Sequence, residues 1–201
     1  MNQNSLEQAR STPANFQRSQ NNDIGRSEVL NGRQITKPAA NRWHNLISTN
    51  LVIALGSRIQ RSGTEIYVSD MKVQVGKNSV CFPDVVIVSG EPTFAEGQAE
   101  VLQNPTVVIE IFSHTSSTSD RAHKLEGFLA TPTIKECLLV NENGMRVEHY
   151  ARQSTKQWIY RIYNERDDVI SLDSLNCKVN LSEVYAGVKN GDASLSSKAV
   201  N

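Results

Sequence analysis

Two carboxylates lie in sequence surroundings where an acid is costly, which makes them candidates for chemistry. Asp84 follows Pro83 at the start of the apolar run VVIV, and Glu110 lies inside the apolar run VVIEIF. A buried charge costs several kcal/mol unless it is paired or bound to a metal. Two arrangements would offset the burial of Glu110: an ion pair with a lysine or arginine, or a divalent cation that it shares with Asp84.

A candidate cationic side chain follows the second apolar run. The segment SSTSDRAHK predicts the start of a helix that carries Asp120, Arg121 and Lys124. Lys124 lies four residues after Asp120, which places both side chains on one face of the helix, one turn apart. Asp84, Glu110 and Lys124 would then form a compact site with two acids and one lysine.

The ligand types indicate which metal such a site would hold. Hard oxygen ligands, without a cluster of cysteines and histidines, favour Mg²⁺ or Mn²⁺ over zinc. Two carboxylates, one of these ions and a lysine are the groups that phosphodiester hydrolysis requires. The ion would polarise the phosphate and lower the pKa of a bound water, and the lysine would steer that water and balance the developing charge.

The spacing of apolar residues predicts the elements that position these groups. Asn31-Gly32 lies between two short β-prone runs and predicts a tight hairpin. The segment 41–63 is expected to form a helix that stops at Gly63, because its apolar residues recur at spacings of three and four. These residues are Trp43, Leu46, Ile47, Leu51, Ala54, Leu55 and Ile59.

Strands account for most of the remaining chain. We expect strands at 65–68, 71–75 and 80–88, and then a loop over 91–105. PTVVIEIFS and KECLLVN are typical of strands in the middle of a sheet covered on both faces, with the helix over STSDRAHKLEGFLATP between them. RVEHYAR and QWIYRIYN alternate polar and apolar residues, which predicts a hairpin with one face in water. Short strands and a helical turn close the chain.

This order predicts one domain of the α/β (α+β) class. Its mixed central β-sheet would be flanked by helices, with an N-terminal hairpin and a C-terminal β-hairpin. We place the domain at 27–189. The segments 1–26 and 190–201 are polar and poor in large apolar side chains, so a flexible leader and a flexible tail are expected there.

Composition excludes several classes of protein. The chain of 201 residues has 21 basic and 21 acidic side chains, which excludes a histone-like protein that binds nucleic acid through overall charge. No apolar run approaches the roughly 20 residues that span a bilayer, and the N-terminus has no apolar signal core. Cys81, Cys137 and Cys177 show no C-x-x-C spacing, so we expect reduced, buried thiols in a cytoplasmic protein.

The motifs occur in one order along the chain. CFPDVVIVSGEP precedes NPTVVIEIFS and then SSTSDRAHK, with Trp43-His44-Asn45 upstream and KECLLVN and VEHYARQSTKQWIYRIYN downstream. In this order they resemble the Uma-type family of restriction endonuclease-like proteins, a bacterial branch of the PD-(D/E)XK nuclease superfamily. The resemblance covers residues 28–188 and implies the restriction-endonuclease-like fold.

The resemblance also implies roles for single residues. Asp84 and Glu110 look like the two motif acids that hold the metal, and Asp70 resembles an accessory acid at the edge of the site. In the wider superfamily a lysine lies two residues after the second acid, where this chain has Phe112. The family looks to have moved this catalytic lysine onto the helix, as Lys124.

Four further residues are expected to support the site or to contact substrate. His44 resembles the histidine that opens the first helix of the family. Ser113 is expected to be a cap rather than a nucleophile, and Asp120 to hold Lys124 or a main-chain donor. Arg121 would belong to a basic rim that contacts phosphate without choosing a sequence.

The implied function is a metal-dependent endonuclease acting on DNA, with Mg²⁺ or Mn²⁺ as cofactor. A homodimer is an assembly that such nucleases often use, and neither a membrane nor a small-molecule cofactor is expected. Two alternatives stay open: RNA as the substrate, and an inactive protein that keeps the nuclease fold for binding or scaffolding. The inactive alternative would hold if Lys124 pointed to solvent and Glu110 paired with an arginine.

Overall fold

The computed structural model describes residues 27–30, 32–37, 40–59, 63–76, 78–113 and 117–189. The predicted leader and tail lie outside these residues and stay predictions. The strands of the described chain are β1 Ser27–Leu30, β2 Arg33–Thr36, β3 Thr64–Val68, β4 Lys72–Val75, β5 Ser79–Cys81, β6 Val85–Ser89, β7 Phe94–Ala95, β8 Gln98–Leu102, β9 Val107–Phe112, β10 Glu136–Asn141, β11 Val147–Arg152, β12 Trp158–Tyr163, β13 Val169–Leu172 and β14 Cys177–Asn180. The helices are α1 Arg42–Gly56, α2 Thr118–Ala130 and α3 Leu181–Val184, and a 3-10 turn lies at Asp173–Leu175.

The predicted N-terminal hairpin is present and begins the first of two six-stranded sheets. β1 pairs antiparallel with β2 across a turn that contains Gly32, whose φ of 79° lies in the left-handed region that glycine adopts readily. The order of this first sheet is β2-β1-β5-β4-β8-β7, so β2 lies at its edge. The loop predicted at 91–105 was wrong, because β7 and β8 pair with each other there and β8 pairs with β4.

The single strand predicted at 80–88 was also wrong, since it is two strands in the structure. β5 ends at Cys81 and β6 begins at Val85, and the two strands belong to different sheets. Pro83 has no main-chain N–H to donate to a neighbouring strand, which favours a break at this point. The break places Asp84 where the chain passes from one sheet to the other.

The predicted central sheet is mixed and has the order β12-β11-β10-β9-β6-β3. β9 and β10 are parallel and joined through α2, whereas the other pairs are antiparallel. β10 is buried along nearly its whole length, as expected in the middle of a sheet covered on both faces. β11 and β12 form the predicted C-terminal hairpin, and β13 and β14 form a separate two-stranded sheet.

Side chains of the central sheet divide between two hydrophobic cores, because alternate residues of a strand point to opposite faces. In β6, Val85 and Ile87 pack in a core that includes α1 and α3. Val86 and Val88 pack in a core that includes α2 and the first sheet. The central sheet is therefore the middle layer, and the predicted fold class is confirmed.

Two capping side chains set where the longer helices begin. Asn41 accepts hydrogen bonds from the main-chain N–H groups of Trp43 and His44, and Ser117 accepts one from the N–H of Asp120. These caps fix the first turn of α1, which carries His44, and the first turn of α2, which precedes Lys124.

The prediction that α1 continues to Gly63 was wrong. The helix ends at Gly56, and Gly63, with a φ of 86°, lies in the turn before β3. Ile59, which continues the apolar spacing, packs into the core from outside the helix. An apolar residue just beyond a helix therefore extended the helical pattern without being helical.

Two other expectations concern the chain as a whole. Cys81, Cys137 and Cys177 are buried free thiols, as predicted. Over the part of the chain that the structure describes, no helix is both long and apolar enough to cross a bilayer.

Candidate active site

A cleft of about 240 Å³ lies where the N-terminal hairpin, the start of α1, the end of β9 and the start of α2 meet. Ionisable side chains reach it from each of these elements: Glu28 of β1, Lys37 just after β2, His44 of α1, Glu110 of β9 and Lys124 of α2. Apolar residues that line it include Leu30, Ile35, Phe112, Leu125, Phe128 and Leu139. The cleft therefore places charged groups of both signs against apolar walls.

Asp84 lies at the base of this site and is 1% exposed. Its Oδ2 accepts a hydrogen bond from the main-chain N–H of Ile111 at 2.7 Å, which ties it to the strand that carries Glu110. His44 Nε2 lies 3.2 Å from the same oxygen. Oδ1 accepts a hydrogen bond from Nζ of Lys37 at 2.7 Å. Each oxygen of the Asp84 carboxylate therefore has a partner from a distant part of the chain.

Lys124 joins two acids that come from different sheets. Its Nζ donates to Oε1 of Glu28 and to Oε1 of Glu110, both at 2.7 Å, and its side chain is 8% exposed. Oε1 of Glu28 also accepts a hydrogen bond from the main-chain N–H of Phe82 at 2.8 Å. Lys124 thus faces the other charged groups of the site rather than solvent.

Lys37 joins the two predicted acids from the opposite side of the site. Its Nζ donates to Oδ1 of Asp84 and to the carbonyl of Phe82, both at 2.7 Å, and lies 3.5 Å from Oε1 of Glu110. Oε1 of Glu110 therefore lies between two ammonium groups.

Both lysines stay protonated in spite of their burial. Burial alone would lower the pKa of Lys124, but the carboxylates of Glu110 and Glu28 outweigh it and raise the pKa well above its ordinary value. The same balance raises the pKa of Lys37, with Glu110 as the strongest of the opposing charges. The site therefore holds two fixed positive charges.

The pKa values of the two predicted acids move in opposite directions. Burial would raise the pKa of Asp84, but the hydrogen bond from His44 and the charge of Lys37 bring it well below its usual range. Burial raises the pKa of Glu110, and the charges of Lys124 and Lys37 offset only part of that effect. Asp84 is therefore the firmly ionised acid of the pair.

The side chains present fit a small divalent cation. Oε2 of Glu110 is buried and has no hydrogen-bond partner within the described residues. Oxygens of Asp84 and Glu110 already lie 2.7 and 3.5 Å from one cation, the ammonium of Lys37. In the described ranges no group of three or more acidic, histidine or cysteine side chains is placed to hold a metal. A metal would then have two carboxylate ligands and complete its shell with water or phosphate, as Mg²⁺ commonly does.

The structure brings together Asp84, Glu110 and Lys124, the three residues that the sequence selected. Glu110 pairs with lysines rather than with an arginine, so neither condition for the inactive alternative is met. The ion pair and the shared metal were alternatives for Glu110 in the sequence, and the structure contains the ion pair. The catalytic roles of the three residues stay predictions.

The four predicted supporting residues, His44, Ser113, Asp120 and Arg121, all line the cleft, and their roles stay predictions. Ser113 was expected to be a cap, but the residue that caps α2 is Ser117. The guanidinium of Arg121 lies 3.7 Å above the ring centre of Phe112, and Arg121 pairs with Glu148 at 2.8 Å. Arg121 therefore lines the cleft with its position already fixed by neighbouring side chains.

Two expected contacts are not found among the described residues. Asp70 is exposed and does not line the cleft, and its role as a metal ligand stays a prediction. The hydrogen bonds of Lys124 go to Glu28 and Glu110 rather than to Asp120, because those two acids reach the ammonium from the sheets. Asp120 instead lies in the first turn of α2.

Sequence reasoning missed Glu28 and Lys37, the two charged residues that pair with the predicted residues Asp84, Glu110 and Lys124. Glu28 lies in the run SEVL, every residue of which is buried in the structure. The argument applied to Glu110, an acid among apolar residues, could have identified it. Lys37 follows an exposed edge strand, and its local sequence does not distinguish it from a surface lysine.

Comparisons with known proteins identify the family to which the chain belongs. The family model Uma2, described as "Putative restriction endonuclease", matches residues 13–182. The protein sll1609 of Synechocystis sp. is 29% identical over 149 residues, which are 74% of this chain and 84% of that protein. The protein slr1290 of the same organism is 23% identical over 163 residues, 80% of this chain and 84% of that protein.

A solved structure from Anabaena variabilis, described as "a putative nuclease belonging to DUF820", is similar with a TM-score of 0.67. It is 18% identical and covers 81% of this chain and 91% of that chain, so the likeness concerns the fold, which is restriction-endonuclease-like. The family model extends over most of the chain, including every charged residue of the cleft. The chain therefore belongs to the Uma2 family, whose description is "Putative restriction endonuclease".

Proposed function

We propose that this chain is a metal-dependent endonuclease that hydrolyses phosphodiester bonds in DNA. The observation that carries the proposal is that Glu110 and Lys124 line one cleft and that Lys37 joins Asp84 to Glu110 beside it, in a chain of the Uma2 family. A nuclease needs a place for a cation, a group that orients the attacking water and a positive charge near the phosphate. The cleft contains candidates for each of these.

Asp84 and Glu110 would hold the ion, with Mg²⁺ or Mn²⁺ favoured by their oxygen ligands. Bound there, the ion would supply Lewis-acid polarisation of a phosphate oxygen. Asp84 is suited to the task because its carboxylate is held by the N–H of Ile111 and stays ionised. His44 would keep the carboxylate in this orientation through its contact with Oδ2.

Lys124 would orient the attacking water and balance charge that develops on the phosphate. Its ammonium is fixed by Glu28 and Glu110 at 2.7 Å, so little reorganisation is needed when substrate binds. The raised pKa of Lys124 keeps it positively charged, which suits it to stabilising charge and excludes it as a general base at neutral pH.

The choice of DNA as substrate is supported by the family description, since restriction endonucleases act on DNA. Arg121 lines the cleft next to the site and is placed to contact a phosphate. We also propose that the protein is cytoplasmic. We further propose that it acts as a homodimer, because two copies of one active site can cut both strands of DNA. Size-exclusion chromatography with light scattering tests the dimer.

One observation favours the inactive binding protein as a second candidate. Lys37 and Lys124 already neutralise much of the negative charge of Asp84 and Glu110, so these two acids do not need a metal to offset their burial. A protein that had kept the fold and lost catalysis would show the same compensation.

A plasmid assay decides between the two. Supercoiled DNA is incubated with Mg²⁺ or Mn²⁺ and with the full chain, Asp84→Ala or Asp167→Ala, an exposed acid outside the cleft. We expect nicking by the full chain and by Asp167→Ala, and a loss of at least about 100-fold in Asp84→Ala, because a fixed metal ligand is removed.

Nicking of equal rate by Asp84→Ala would show that the activity belongs to another site or to a contaminant. No nicking by any of the three proteins would favour the inactive alternative. A parallel reaction on RNA of the same sequence separates the two nucleic-acid substrates, because cleavage of RNA alone would overturn the choice of DNA.

A further inference from the structure

Lys37 has an unusual set of partners for a side chain at the end of an edge strand. Its ammonium has three oxygens around it: Oδ1 of Asp84 and the carbonyl of Phe82 at 2.7 Å, and Oε1 of Glu110 at 3.5 Å. An ammonium has three protons to donate, so these oxygens are enough to satisfy it. Two of these oxygens belong to the segment between β5 and β6, and the third belongs to β9.

The three oxygens are also of the types that coordinate a hard divalent cation. Carboxylate and main-chain carbonyl oxygens are the ligands of Mg²⁺ and Mn²⁺ in proteins. A fourth oxygen, Oε2 of Glu110, is buried without a hydrogen-bond partner in the described chain. The ammonium of Lys37 is therefore located where the oxygens of both predicted metal ligands converge.

We propose that Lys37 is the resident cation of this site, and that binding of a divalent metal exchanges the Lys37 ammonium for the metal between Asp84 and Glu110. This inference rests on the proposed function, since it assumes that these two acids hold a metal. It adds a residue that decides how tightly the metal binds.

The structure makes withdrawal of Lys37 easier than withdrawal of Lys124. Lys37 lines the open cleft and its side chain is 12% exposed. It follows β2, the edge strand of the first sheet. Rotation about its flexible side-chain bonds can carry the ammonium into the cleft, where a phosphate would meet it. Lys124 also lines the cleft, but it lies on a packed helix and two carboxylates, of Glu28 and Glu110, hold its ammonium at 2.7 Å.

The exchange predicts that Lys37 weakens metal binding. Three carboxylates, of Glu28, Asp84 and Glu110, pair with the two ammonium groups of Lys37 and Lys124 in the described ion pairs. Removal of the Lys37 charge leaves the oxygens of Asp84 and Glu110 without their shared cation. A divalent metal then binds without first displacing an ammonium.

The test measures Mn²⁺ affinity by isothermal titration calorimetry on the full chain, Lys37→Met, Lys156→Met and Asp84→Asn. Methionine keeps much of the length of lysine and removes the charge, and Lys156 is an exposed lysine outside the cleft. We expect at least a tenfold lower Kd in Lys37→Met, an unchanged Kd in Lys156→Met and loss of binding in Asp84→Asn.

Equal or weaker Mn²⁺ binding by Lys37→Met, with normal binding by the full chain, would overturn the exchange and leave the metal site intact. If neither protein bound Mn²⁺, the exchange and the proposed metal site would both be wrong. The plasmid assay then shows whether the protein also fails to cleave DNA. Failure of the exchange alone is therefore distinguishable from failure of the proposed nuclease function.

A second measurement uses the unaltered protein, in case Lys37→Met does not fold. The chain is labelled with ¹³C at the lysine ε-carbons, and the Lys37 signal is assigned by its absence in Lys37→Arg. Mg²⁺ is then titrated. The exchange predicts that the Lys37 signal shifts on saturation while that of Lys156 does not. A Lys37 signal that stays in place at saturating Mg²⁺ would overturn the proposal.

Discussion

Asp84 is the residue at which most parts of the site meet. Its carboxylate accepts hydrogen bonds from the main-chain N–H of Ile111 in β9 and from the Lys37 ammonium after β2, and it lies beside His44 of α1. These partners favour the ionised form, which explains why the pKa of Asp84 is lowered although the side chain is buried.

The lowered pKa predicts how stability depends on pH. A carboxylate with a lower pKa in the folded state contributes stability above its unfolded pKa of about 3.9 and loses that contribution as the pH falls toward the folded value. Asp84→Asn cannot ionise. We expect it to be less stable than the full chain by about 3–5 kcal/mol near neutral pH, because Lys37 loses its charged partner.

The difference should shrink as the pH falls below about 4, because Asp84 of the unfolded chain then takes up a proton while the folded chain keeps its carboxylate ionised. Urea unfolding at several pH values down to about 2.5 measures it, with Asp167→Asn, an exposed acid, as the control. A difference that stays constant over this range would contradict the assigned pKa shift.

At the scale of elements, helix α2 sets the position of Lys124. Its start is fixed by the cap at Ser117, and Phe128 of its last turn is fully buried. Gly127, one turn after Lys124, lies close to β4: a Cβ at this position would be 3.3 Å from Cγ2 of Val75. The glycine thus allows the helix to lie close to the first sheet.

A larger residue at this contact is expected to move the helix. We predict that Gly127→Val lowers the free energy of unfolding by about 1–3 kcal/mol through overpacking, although valine has the better helix propensity. Cleavage should fall as well, because Lys124 would shift with the helix. Gly144→Val is the matched control, since a Cβ at Gly144 meets nothing within 4 Å.

Urea unfolding and the plasmid assay measure the two effects. If Gly127→Val and Gly144→Val had the same stability and the same cleavage rate, the packing of α2 against β4 would not position Lys124.

At the scale of the whole molecule, the site joins two sheets. Glu28 comes from the first sheet and Glu110 from the central sheet, and Lys124 holds them together at 2.7 Å from each. Breaking a buried pair of this kind leaves an uncompensated charge, which is strongly destabilising. The candidate active site is therefore also a connection on which the packing of the two sheets depends.

The extent of the domain can be tested by truncation. Because 1–26 and 190–201 are polar and poor in large apolar side chains, we expect a chain of residues 27–189 to unfold within about 2 °C of the full chain's Tm. Circular dichroism melting measures this. The family match begins at residue 13. A lower Tm in the truncated chain would therefore assign 13–26 to the domain and contradict the boundary drawn at 27.

Several features of the molecule follow from local sequence, and for these the predictions succeeded. Alternation with period two predicted the β11–β12 hairpin, and apolar runs predicted β9 and β10. The cap at Ser117 and the turn at Gly32 depend on a few neighbouring residues. The same local reasoning failed at 80–88, where one apolar run serves two sheets, since an apolar pattern does not specify which strand it pairs with.

The sequence by itself determined that Asp84 and Glu110 would need compensation, because an acid next to or inside a buried run cannot remain solvated. The order of the motifs in the sequence also indicated the Uma2 family. Tertiary structure alone decided which groups provide the compensation. Lys37 and Asp84 are 47 residues apart in the chain, and Glu28 and Lys124 are 96 residues apart. Contacts over such separations depend on how the two sheets pack, and no local pattern of residues encodes that packing.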